Sequence, residues 1–90
     1  MARRYDEIGV ARVSKKQDLD GRLVEIGEAI RALRAQKGIS QEELASVSGI
    51  DRGHMGRLER GERNLSILNL FKVAEGLGIK PSDILNQVGF

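Results

Sequence analysis

The side chains of this sequence best suited to chemistry are guanidinium groups. Arg52, Arg57, Arg60 and Arg63 fall within one short stretch, and each offers a planar fork of donors that matches the oxygens of a phosphate. A second basic region, Arg3, Arg4, Arg12, Lys15, Lys16 and Arg22, occupies the head of the chain. Both are candidate phosphate-facing regions; the plainer alternative is a surface that is merely solvated. Total charge does not decide between these, because fifteen Lys and Arg oppose thirteen Asp and Glu for a net charge of +2. Distribution matters more than the sum. For catalysis the inventory is poor. One histidine, no cysteine, no glycine-rich phosphate loop after a strand and no metal-ligand spacing leave no enzyme, metal, cofactor or small-molecule substrate to expect.

Those arginines need a scaffold, and ninety residues fit one small domain with one core. Without cysteine, disulfides and thiolate metal sites cannot supplement that core, so apolar packing must hold it. The N-terminus is followed by no apolar stretch of about 7 to 15 residues, and no uncharged run approaches a membrane span. A cytoplasmic protein, neither secreted nor inserted in a membrane, is expected.

Residues 1 to 22 read as an N-terminal arm or lead-in, since Ile8, Val10 and Val13 keep no helical spacing. Leu23, Ile26, Ile30 and Leu33 then recur at steps of three and four, which predicts an amphipathic helix ending near Lys37 and Gly38. Three further helix starts share one local signature: an apolar residue, a capping residue, and an apolar residue four positions past the cap. They are Ile39-Ser40 with Leu44, Ile50-Asp51 with Met55, and Leu65-Ser66 with Leu70. In the first, Ser40 and Glu43 can form a reciprocal capping box. The third continues through Phe71, Val73, Ala74 and Leu77, with Gly76 and Gly78 marking its end. A last short helix follows Pro81 and carries Ile84, Leu85 and Val88. No segment alternates with period two between turn signals, so the fold class is all-α, with about five helices.

Two of these helices, within Gln41 to Arg60, flank a turn at Ser48-Gly49-Ile50. Ala45 is small where the helices must approach closely, Gly49 can take positive φ, and Ile50, Met55 and Leu58 form the inward face. Together these features describe a helix-turn-helix at about 41–60. With Met55 and Leu58 inward, a wheel of about 100° per residue turns Gly53, Gly56, Arg57 and Arg60 away from the core and leaves Arg52 at the side.

The sequence resembles the lambda-repressor-like (Cro/C1, or Xre) family through Lys37-Gly38-Ile39-Ser40-Gln41-Glu42-Glu43-Leu44-Ala45, Ser48-Gly49-Ile50 and Leu58-Glu59-Arg60-Gly61-Glu62-Arg63-Asn64. The similarity covers about residues 23 to 86 and looks closest to stand-alone regulators such as restriction-modification controller proteins. It implies a sequence-specific, double-stranded-DNA-binding transcriptional regulator whose recognition helix, about 51–59, enters the major groove. By the same resemblance, Ser40 and Gln41 would contact the DNA backbone, and Arg34 would pair with Glu59. Arg60, Arg63 and Asn64 would run beside the sugar-phosphate chain as positioning contacts. Arg52 and Arg57 are the expected base readers, because their forks can donate to guanine O6 and N7; Gly53 and His54 complete the candidate base-contact set. A lone histidine in the setting of His54 is, however, more often an ordinary boundary residue than a contact. Gly53 and Gly56 cost roughly 1 kcal/mol each in helix propensity and allow either a deeper seat in the groove or a larger share of shape readout.

Residues 23 to 90 thus form one DNA-binding domain whose C-terminal part, Ile84, Leu85, Val88 and Phe90, is the expected homodimer surface, the alternative being that Ile84 and Leu85 complete the monomer core. A two-fold dimer would set the recognition helices roughly 34 Å apart on a palindromic operator. The competing function is an antitoxin or adaptor that uses the same helices to hold a protein partner.

Overall fold

A computed structural model of the chain describes residues 21–90. The expected arm, apart from Gly21 and Arg22, lies outside the described residues. Five helices follow one another, α1 (Arg22–Lys37), α2 (Gln41–Ser48), α3 (Arg52–Glu59), α4 (Ile67–Leu77) and α5 (Pro81–Gln87), and no strand occurs among the described residues. The all-α, five-helix reading therefore holds. The three starts that share the capping signature, those of α2, α3 and α4, are each closed by a side chain. Ser40 Oγ accepts from the Glu43 amide at 3.0 Å while the Ser40 amide donates to Glu43 Oε1 at 2.7 Å. Asp51 Oδ2 accepts from the His54 amide at 3.1 Å, and Ser66 Oγ from that of Asn69 at 3.0 Å. Each cap satisfies an amide that the first helical turn leaves without a partner.

The largest fully buried side chains are Ile30, Leu44, Met55, Val73 and Ile84, one from each helix. Burying such a side chain stabilises the fold by about 1.5–3 kcal/mol, and α2, α3 and α5 are too short to persist alone. Ile84 is wholly enclosed at 0 % exposure, which removes it from the expected dimer surface: α5 packs against α1 and α4 and spends its best apolar residue on the shared core. Phe71, one of the apolar residues that carry α4, is 50 % exposed. Gly76 does not mark a helix end, for it lies within α4 where α2 crosses. A Cβ there would run into Ser48 Oγ and stand 3.1 Å from Leu44 Cδ1 and Val47 Cγ2.

Candidate nucleic-acid interface

The turn between α2 and α3 is built by Gly49 at φ 70°, a left-handed conformation that glycine takes without the Cβ penalty. Its amide donates to Ser46 O and that of Ile50 to Ala45 O, so the chain reverses at once into the Asp51 cap. Met55 and Leu58 then bury the inner side of α3, and α1 locks its far end. A Cβ on Gly27 of α1 would meet Glu59 O and stand 2.6 Å from Leu58 O, so the two helices touch almost backbone to backbone.

Over that crossing lies an ion pair. Arg34 Nε donates to Glu59 Oε2 at 2.9 Å and Arg34 Nη2 to Glu59 Oε1 at 3.1 Å, while Arg34 Nη1 reaches Ile39 O at 3.2 Å. Gln41 Nε2 adds a 2.9 Å bond to Glu59 Oε1, so one carboxylate, 3 % exposed, ties α1, α2 and α3 together. The Gln41 amide group is thereby turned toward α3, and its Oε1 lies 3.3 Å from where a Cβ of Gly56 would stand, as does Arg60 Nη1. Gly56 is therefore buried beneath two polar side chains and is not the bare outward position that the wheel suggests. The wheel treats one helix in isolation, whereas here a side chain of α2 reaches across.

Arg52 and Gly53 are exposed and Arg57 and His54 half-buried. Arg57 folds back along the helix, with Nη1 3.6 Å and Nη2 4.0 Å from the Cβ position of Gly53; its Nε is buried and has no hydrogen-bond partner among the described residues. His54 Nε2 lies 3.4 Å from Asn69 Nδ2 of α4, which places the ring at the edge between α3 and α4. Beyond α3, Arg60 and Asn64 are exposed and Arg63 is half-buried. Arg60 Nη2 lies 3.1 Å from Glu62 Oε1, and that hydrogen-bonded carboxylate raises the Arg60 pKa above its ordinary value. At the head of α1, Arg22 lies over the Phe90 ring, 5.8 Å from its centroid. Sequence reasoning missed Gly27, Asn69 and the part played by Glu62. Only Glu62 carried a signal, an acid two places after an arginine beyond the helix. Among the described residues, no three His, Cys, Asp or Glu gather to hold a metal, and no helix is long and apolar enough to cross a membrane.

A family model described as Helix-turn-helix (HTH_3) matches residues 30–84. The control protein C.BamHI of Bacillus amyloliquefaciens is 38 % identical over 61 residues, covering 67 % of this chain and 75 % of that protein. The control protein C.MunI of Mycoplasma sp is 35 % identical over 66 residues, covering 72 % and 89 %. Among solved structures, the restriction-modification controller protein C.AhdI from Aeromonas hydrophila superimposes with a TM-score of 0.70 at 47 % identity, over 71 % of this chain and 97 % of that one.

Proposed function

The chain belongs to the helix-turn-helix family of the lambda-repressor-like (Cro/C1, Xre) type, and on that premise we propose that it is a cytoplasmic, sequence-specific DNA-binding transcriptional regulator acting without catalysis. Its relatives C.BamHI and C.AhdI are named as controller proteins, which supports a regulatory role. The observation that carries the reading is the opposed character of α3: Met55, Leu58 and Glu59 are buried while Arg52 and Gly53 face solvent and Arg57 lies along the same side. Arg52 and Arg57 read base edges, Gly53 lets the helix backbone approach, and His54 sits at the margin of this set. Ser40, Gln41, Arg60, Arg63 and Asn64 hold the sugar-phosphate chain. Fluorescence anisotropy with random duplexes and with duplexes selected from a random pool tests this at several salt concentrations, because phosphate contacts give a steep fall of affinity with salt. A flat salt response would point to a protein partner. Arg57→Ala is expected to cost about 1–3 kcal/mol on the selected duplex and to relax discrimination at one position. Arg63→Ala should weaken both duplexes alike.

A homodimer belongs to the same proposal, with its surface centred on α4, because of the expected α5 set Ile84 is enclosed, Leu85 and Val88 are half-buried and Phe90 alone is exposed. Ile67 at 70 %, Leu68 at 61 % and Phe71 at 50 % exposure share one face of α4 by helical spacing, and Lys72 and Glu75 follow them. A second copy suits this face, since a two-fold contact repeats the apolar patch on both sides and can set Lys72 of one copy against Glu75 of the other. Phe71→Glu is therefore expected to leave a folded monomer in sedimentation, with affinity for a two-half-site duplex reduced about a hundredfold and half-site affinity retained. A Phe71→Glu dimer would place the interface elsewhere.

A further inference from the structure

All five helices end in the same way: a left-handed glycine and the residue after it, Phe90 in the case of α5, donate back into the last turn. After α1, α2 and α4 that following residue is Ile39, Ile50 and Ile79, each at least half-buried against the core, as this ending usually requires of its flanking side chain. After α3 it is Glu62. Its amide donates to Arg57 O at 2.9 Å and that of Gly61 to Leu58 O at 3.1 Å. Gly61 has a φ of 74°, and a Cβ on it would stand 2.7 Å from backbone atoms of Val24. The Glu62 backbone is thus fixed, and its carboxylate is delivered to the negative end of α3, where helix electrostatics disfavour an acid. Neither the motif nor the helix dipole accounts for a carboxylate there. It stands against Arg60, at 3.1 Å.

We propose that Glu62 is an intramolecular stand-in for a DNA phosphate: it occupies Arg60 in the unbound protein and surrenders it when a duplex docks. The inference rests on the reading of Arg60 as a backbone contact. Every duplex must displace the same carboxylate, so Glu62 lowers affinity for all sequences by a common factor and leaves the ratio of selected to random binding unchanged. A regulator surrounded by competing non-specific DNA gains shorter residence at wrong sites by this means.

Glu62→Gln keeps the backbone amide and the side-chain length while removing the charge. Anisotropy should report about threefold tighter binding to selected and random duplexes alike at low salt, narrowing as salt is added. In an Arg60→Ala background the gain should shrink to that of Glu28→Gln, an exposed acid on α1 that controls for net charge. An equal gain with and without Arg60 overturns the proposal, as does weaker binding by Glu62→Gln, which would make Glu62 an aid to Arg60. Thermal melts of each variant show whether the fold is retained. Failure of the unsubstituted protein to bind any duplex removes the DNA-binding reading itself; binding that Glu62→Gln leaves unchanged removes only this inference.

Discussion

Alanine at position 27 is expected to destabilise the protein by about 3 kcal/mol, although alanine favours a helix over glycine by roughly 1 kcal/mol. The added Cβ would meet Glu59 O and stand 2.6 Å from Leu58 O, both main-chain atoms that no rotamer change can move. Relief requires α1 to lift off α3, which also stretches the pair between Arg34 and Glu59. Urea unfolding should show a lower midpoint with little change in slope. A Gly27→Ala protein as stable as the parent would mean that the two helices lie farther apart than described.

Arg34→Ala should cost about 3 kcal/mol for a different reason, because it strands a charge. Glu59 is buried and would keep only the Gln41 bond at 2.9 Å, while Ile39 O would lose its donor at 3.2 Å. Replacing both partners with methionine should recover much of that loss, since an apolar pair of similar volume avoids the desolvation cost. Chemical denaturation of the single and double variants measures this directly. Double-variant loss equal to the sum of the single losses would show that the pair contributes no coupling. DNA affinity should fall with the single change because α3 loses its anchor, even though Arg34 touches no groove-facing residue.

The capping residues were legible because a cap is local: Ser40 meets Glu43, Asp51 meets His54 and Ser66 meets Asn69 three residues on. Gly49 was legible for the same reason. Close approaches between distant segments were not, since Gly27 and Gly76 look like weak points on a helix until the neighbouring α3 or α2 is in place. The exposure of Phe71 was not legible because α4 carries apolar residues almost all round, at Ile67, Leu68, Leu70, Phe71, Val73, Ala74 and Leu77, so no wheel selects its inner side. Ile84 posed a related difficulty. Core and interface both demand apolar side chains, and only the packing of α5 on α1 and α4 separates them. Arg34 and Glu59 were reached through family resemblance, since nothing in their spacing along the chain announces a contact.

With one enclosed anchor drawn from each helix, no intermediate lacking a single segment keeps a closed interior. The arginine-bearing helix, weakened by two glycines of its own, borrows its order from the other four. A protease or chaperone that draws away any one of them erases the arginine-bearing surface in the same event. Loss of such a regulator is then abrupt, with whole molecules leaving the active pool and no partly competent remnant lingering on its sites.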